Sequence, residues 1–331
     1  MPVPQPATRE MLLTQLTGAP YDPDARSETW ELFLDQSTRG DKELQHFLQK
    51  AVGYSLTGST REEVLFFLYG PTATGKSTFL QAVAHALGDY AATVDIEAFL
   101  SHRFGGGGPS PELAKLRWTR MVISVEVDEG RKIAEGLIKL VTGGDSISVR
   151  GLYRDPETFR PTFKIWIAAN NRPRVSDTDD AIWRRIIVLP FSAQVAPEHR
   201  DKSLKHRLTT TESPAVLAWG VRGSILWQRE GLGRPPAAVQ AAIQSYQEEV
   251  DPIREWMKDC AREAKPELWT LQADLYASYA SWAKRSGNRY VLNASQFGQR
   301  LQSHGFPFTI VNGQRVRNGI LLVQEGKDQS F

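Results

Sequence analysis

The residues best suited to chemistry are Gly70, Pro71, Thr72, Ala73, Thr74, Gly75, Lys76 and Ser77, which satisfy the pattern GxxxxGK[ST] in full. In that pattern the glycines let the backbone curl until successive N–H groups face a chain of phosphates. The lysine reaches the outer phosphates and the serine hydroxyl binds a magnesium ion. A helix starting near Lys76 adds the positive end of its dipole to the anion site, and Thr78 lies in its first turn. The implied cofactors are ATP and Mg2+. Glu126 directly follows the apolar run Met121 to Val125, the place for an acid that holds the metal, so Ser77 and Glu126 are the expected metal ligands. Asp128 and Glu129 follow and could polarise an attacking water, and the base stays open among these three acids. The loop alone would equally suit a small-molecule kinase or a GTPase.

The elements that must position these groups are legible around them. VLFFLY, from Val64, predicts a buried strand running straight into the glycine-rich turn. The helix after it carries Phe79, Leu80, Val83, Ala84 and Leu87 and ends at Gly88. Further strands are expected at 121–125, 147–149, 162–169 and 186–191, with RDPE, Arg154 to Glu157, as a turn. Strands alternating with helices around such a loop indicate an α/β sheet with parallel strands at its centre. Before it, Asp41 can cap a helix bearing Leu44, Phe47, Leu48 and Val52, which Gly53 and Gly58 should break. The quartet Gly105 to Gly108, closed by Pro109, reads as a loop.

After about Ser192 the pattern turns helical, and GLGRPP, Gly231 to Pro236, marks a candidate boundary. Beyond it, Asp251 and Pro252 open one helix, and a second carries Leu271, Leu275, Tyr279 and Trp282. Asn293 opens a third with Phe297 and Leu301 inward, and Asn312 and Gly313 form a hairpin turn. Three helices and a hairpin predict a winged-helix domain. Arg315 and Arg317 share a strand face and, with Arg300 on the preceding helix, form a candidate basic surface for DNA.

Composition bounds the remaining possibilities. The 331 residues have 40 Lys and Arg against 38 Asp and Glu, so any nucleic-acid affinity must come from local concentrations of charge. A single cysteine, Cys260, rules out an intrachain disulfide and a cysteine-based zinc site, and it is expected to be a buried helix residue. The opening MPVPQP is proline-rich rather than basic then apolar, so no signal sequence is expected there. The longest apolar runs fall far below the ~20 residues that cross a bilayer, which points to a reducing cytoplasm.

The longer pattern narrows the class. RMVISVEVDEG, then IKLVTGGDSISVRGLYRDPETFRPTFKIWIAANNRPRVSDTDDAIWRRIIVLPF, resembles the C-terminal helicase of phage and plasmid primases and of the poxvirus primase-helicase, members of helicase superfamily 3. YDPDARSETWELFLDQ and FLQKAVGYSLTG resemble the segment that precedes this motor, and the last eighty or so residues resemble its winged-helix tail.

The resemblance implies an α/β fold: a phosphate-loop, AAA+-like ATPase core with an N-terminal helical segment and a C-terminal winged-helix domain. The expected divisions are a flexible tail over 1–20, the helical segment over 21–62, the ATPase with its helical lid over 63–240 and the winged helix over 241–331. It makes Lys76 and Glu126 catalytic, Asn170 a polar sensor that positions water, and Arg185 the finger entering a neighbour's ATP site, with Arg184 the less favoured choice. Residues 143–164 match a hairpin that projects into a ring channel, with Arg154 at its tip, Arg150 on the strand leading to it and Lys139 on the helix before.

Two departures stand out. Thr74 occupies a position where relatives usually have Asn, and Val127 one where many related ATPases have their base. No polymerising domain precedes Tyr21, so the sequence is expected to be an excised fragment or to work with a separate primase or polymerase. The function implied is a hexameric, ATP-driven helicase on single-stranded DNA in the replication of a phage, plasmid or other mobile element. The alternative is an ATP-gated origin-loading factor that does not sustain unwinding.

Overall fold

The computed structural model describes residues 5, 7–100, 111–125, 131–151, 155–173, 175, 180–286 and 291–323. The chain divides into two compact units, Met1–Gln244 and Ser245–Phe331. In the first, α1 (Glu28–Ser37) and α2 (Lys42–Ser55) precede β1 (Leu65–Tyr69), α3 (Lys76–Leu87) and β2 (Ala91–Thr93). Next come α4 (Pro111–Ala114), β3 (Met121–Val125), α5 (Glu135–Thr142), β4 (Ile147–Arg150) and β5 (Pro156–Phe159). The unit continues with β6 (Lys164–Ala169), α6 (Asp180–Trp183), β7 (Ile186–Pro190), α7 (Leu204–Leu208) and α8 (Ser213–Glu230). Helix α9 (Ala237–Val250) spans the division.

Five of these strands form one parallel sheet in the order β2-β3-β6-β1-β7. All six residues of β6 and the first four of β1 are buried, as befits central strands covered on both faces. Rings join the layers. Phe66 and Trp166, paired across β1 and β6, have ring centroids 4.4 Å apart. Trp30 of α1 stacks on Phe79 of α3 at 5.7 Å and meets Trp219 of α8 edge-on at 5.3 Å. At the start of β6 the buried ammonium of Lys164 donates to the carbonyls of Thr57, Ser59 and Thr162. Burial, and after it the nearby Arg120, hold its pKa well below the usual lysine value.

Three sequence expectations change here. Gly53 does not break α2, which runs through it to Ser55. A Cβ at Gly53 would lie 2.0 Å from the backbone carbon of Gly223, and one at Gly223 2.0 Å from the carbonyl oxygen of Gln49, so the two glycines let α2 and α8 cross backbone to backbone. The tail expected over 1–20 is docked at its C-terminal end: the Gly18 amide donates to Ala86 O at 3.1 Å, that of Asp89 to Leu16 O at 3.0 Å, and Ala19 is buried. The division between units falls after Gln244 rather than at 240, because α9 continues past the Gly–Pro stretch and packs Val239 into the first core.

The second unit contains α10 (Pro252–Cys260), β8 (Ala261–Glu263), β9 (Trp269–Leu271), α11 (Gln272–Arg285), α12 (Ala294–Ser303), β10 (Phe308–Val311), β11 (Gln314–Asn318) and β12 (Ile320–Leu322). Asp251 caps α10 through the amides of Ile253 and Arg254 and also holds His304 at 2.6 Å. Asn293 and Gln296 form a capping box on α12. Asn312 and Gly313, with φ of 51° and 77°, close the β10–β11 hairpin as their sequence predicts. Trp256, Tyr279, Phe297 and Leu301 fill the core, while Cys260 at the end of α10 is only half-buried rather than buried. Among the described residues no helix is long and apolar enough to cross a membrane.

The helix crossing gives a direct test. Gly53→Ala forces backbone apart at the α2–α8 contact and is expected to lower stability by about 3 kcal/mol, read as a lower urea midpoint. Gly136→Ala, where a Cβ meets nothing within 4 Å in helix α5, should leave the midpoint unchanged or slightly raised.

Candidate functional site

The loop of residues 70–77 leaves the end of β1, the strand between β6 and β7, and returns as α3. Its path is tight. Gly70 has φ of 154°, and a Cβ there would fall 1.9 Å from the carbonyl oxygen of Phe191. Gly75 has φ of 94°, and its Cβ would press on Ser37 Oγ at 2.7 Å and on the Phe33 ring at 2.9 Å. Ala73, at φ of 60°, carries its side chain in the left-handed region. The far side is anchored by the Val195 amide, which donates to Ala73 O at 3.0 Å, and by Gln194 Nε2, which donates to Thr72 O at 3.2 Å.

Lys76 lies inside this curl, 7% exposed, and its ammonium donates to Gly70 O and Pro71 O, both at 2.6 Å. Burial lowers its pKa. Thr74 is buried beside it, its hydroxyl donating to Pro71 O at 3.0 Å and lying 3.4 Å from the Lys76 ammonium. The hydroxyl therefore ties down the loop at the position where the resemblance leads one to expect Asn. Ser77 is exposed at the start of α3, and no side chain caps that helix N-terminus. A buried cation, loop backbone and an uncapped helix start together suit a polyanionic group such as the phosphates of a nucleotide. Pro71 and Thr72 are exposed on the rim, and Thr78 is half-buried within the first turn.

The sheet order brings a second group to the same end of the strands. Asn170 is exposed directly after β6, whose Ala169 pairs with Tyr69 at the end of β1. β3 lies on the other side of β6, with Val125 opposite Ala168. Glu126, Asp128 and Glu129 lie outside the described residues, as does Arg154.

Arg184 and Arg185 lie elsewhere. They precede β7 at the opposite end of the strands, where Arg185 O accepts from the Leu65 amide. The whole of β1 separates that level from Gly70, roughly 16 Å at ~3.3 Å per residue. The two arginines also face different ways. Arg185 is 8% exposed, and its guanidinium donates to Glu63 Oε2 at 2.7 Å and Ala181 O at 2.8 Å. Arg184 is exposed. The expectation that Arg185 reaches out of the chain conflicts with this placement, because it is committed to an acid on the segment leading into β1. Glu63 carries no signal in the sequence beyond its position just before an apolar strand.

The predicted hairpin is present as β4 and β5, paired from Ile147↔Phe159 to Arg150↔Pro156, with Arg150 exposed. Lys139 is half-buried on α5. In the second unit Arg315 is exposed on β11 and its guanidinium lies 5.1 Å from the Phe308 ring, while Arg300 is half-buried on α12. Arg317 requires correction. It is 3% exposed, and its guanidinium donates to Gln272 Oε1 at 3.1 Å, Phe306 O at 2.8 Å and Gly298 O at 2.5 Å, so it locks the sheet to α11 and α12 rather than offering a surface charge.

Comparison with known proteins adds relatives to this geometry. A model of a family of unknown function, DUF5906, matches residues 68–185. A "Putative helicase" of Acanthamoeba polyphaga mimivirus is 27% identical over 284 residues, covering 81% of this chain and 29% of that protein. A "Putative helicase" of Frog virus 3 is 27% identical over 271 residues, covering 76% and 27%. Primase D5 of fowlpox virus is 27% identical over 198 residues, covering 55% and 24%. The chain thus spans less than a third of the length of these curated relatives. The solved apo structure of the NrS-1 C terminal region superposes with a TM-score of 0.56 over 90% of this chain and 77% of that one, at 11% identity, which shows a shared fold.

The roles of the two wing arginines separate by stability. Arg317→Ala strands two buried carbonyls and should lower stability by about 2 to 4 kcal/mol. Arg315→Ala, at an exposed position, should change stability by no more than about 0.5 kcal/mol. Thermal unfolding of each variant checks this.

Proposed function

We propose that this chain, a relative of the viral putative helicases and of the poxvirus-type primase-helicase, is the motor part of a replication helicase: an AAA+-like, phosphate-loop ATPase that assembles as a ring, with hexamers expected, and moves along single-stranded DNA. The observation that carries the reading is the curled 70–77 loop on a central parallel strand, with buried Lys76 at its focus and Asn170 on the neighbouring strand end.

ATP with Mg2+ would supply the phosphoryl bond whose cleavage drives movement. Lys76 would exchange its loop carbonyls for the outer phosphates, and Ser77 and Glu126 would hold the metal. Asn170 would orient the attacking water, with the base among Glu126, Asp128 and Glu129. The arginine pair supports sites shared between subunits. Its distance from its own loop means that a contact with a nucleotide must be made in a neighbour. We place the trans contact on Arg184, because Arg184 is exposed while the Arg185 side chain is buried and already held by half-exposed Glu63 and by Ala181 O.

The β4–β5 hairpin, with Arg150 and Arg154, and Lys139 on α5 would face the strand. The second unit fits a winged helix that presents Arg300 and Arg315 to DNA or to a primase or polymerase partner.

Lys76→Ala is expected to abolish ATP turnover while leaving the melting temperature near that of the parent. Arg184→Ala should slow turnover by about 10³-fold or more, and mixing the two variants should restore part of the activity, since a mixed interface contains one intact site. Arg185→Ala should mainly lower stability. Full-speed turnover by Arg184→Ala alone would contradict the shared-site reading.

A further inference from the structure

Trp118 is 61% exposed, ahead of β3 at the end of the sheet opposite the 70–77 loop. Its backbone has φ of 74°, a region that bulky residues rarely adopt. Burial does not explain a large ring held in such a conformation. Instead the guanidinium of Arg117 lies over one face of the ring, 4.8 Å from its centroid, and Arg117 also pairs at 2.9 Å with Glu157 of β5, both side chains being partly exposed. Thr162 Oγ1, just beyond β5, donates to Thr119 O at 2.9 Å, so the Trp118 segment and the root of the β4–β5 hairpin are tied at two points. Lys115 and Arg117 are exposed on the same short segment, and Arg160 is exposed where β5 ends.

We propose that Trp118 is a stacking platform for a nucleobase of single-stranded DNA, held against the hairpin by the Arg117–Glu157 pair. The inference rests on the helicase reading above and adds a contact to it. An exposed indole offers a π-face that any base can stack on, and surrounding cations neutralise the phosphates on either side. Arg117 takes up one face of the ring, and the 61% exposure of Trp118 leaves the other open to a base.

The test compares full-length parent with Trp118→Gly, using fluorescein-labelled oligothymidylate of twenty nucleotides and its abasic counterpart at fixed salt. Glycine relieves the left-handed backbone, so this variant should melt no lower than the parent. The parent should bind the abasic strand at least about tenfold more weakly than oligothymidylate. Trp118→Gly should lose about that factor on oligothymidylate and bind both strands alike, while Trp118→Phe should stay within about threefold of the parent. If Trp118→Gly still discriminates as the parent does, the platform is refuted, and the helicase reading stands as long as turnover remains DNA-stimulated. If the variant fails to assemble but each protomer keeps its discrimination, Trp118 is a protomer contact and the inference is wrong. If the parent binds no single strand, both readings fall.

Discussion

Gly70 and Gly75 sit where the loop of residues 70–77 meets its own scaffold at distances no side chain would tolerate: one against Phe191 O, the other against Ser37 and Phe33. This seat is the constraint on which the rest of the first unit depends. It fixes the curl of the loop between the end of β7 on one side and α1 on the other, and it therefore fixes where the Lys76 ammonium points. The helices before the sheet are consequently part of the site. α1 carries the Phe33 and Ser37 that close on Gly75, and its Trp30 is stacked on Phe79 of the helix that leaves the loop. Arg39, beyond α1, donates to Ser192 O and ties the same segment to the end of β7.

The parallel sheet then sorts the chemistry by strand end. One end collects the loop, Asn170 and the end of β3; the other collects the Arg184 and Arg185 pair, the Trp118 segment and the root of the hairpin. A chain built this way keeps the Lys76 loop and its second cation group about a strand length apart. Under the proposed reading, that separation requires an arginine that meets the nucleotide to come from another copy, whichever arginine is used. Arg185 is spent on Glu63 within its own chain, which leaves its neighbour as the outward cation.

Much of this was legible in the sequence where local rules act alone. The loop pattern between a buried strand and an amphipathic helix, the helix start at Asn293 and the Asn312–Gly313 turn all depend on residues within a few positions of one another, and each is found as expected. Signals that depend on a distant partner were read less well. Alternation put Arg315 and Arg317 on one strand face but could not say that the root of that face is covered by α11 and α12, so one arginine is a surface group and the other a buried clamp. Gly53 read as a helix breaker because its partner, Gly223, lies far along the chain and the close helix crossing has no local signature. Adjacent arginines before β7 gave no hint of which would turn inward, since that choice is made by Glu63. Trp118 has no periodic pattern to mark it and emerges only from its exposure and backbone geometry.

The central claim is that copies of this chain share their nucleotide sites around a DNA strand. Its most direct test is the mass of the full chain in solution, by sedimentation, with a non-hydrolysable ATP analogue and a single-stranded oligonucleotide present together. The account predicts a closed assembly of several protomers that contains the strand and dissociates when the analogue is removed. A chain that stays monomeric under these conditions, yet hydrolyses ATP at an undiminished rate on its own, would contradict it.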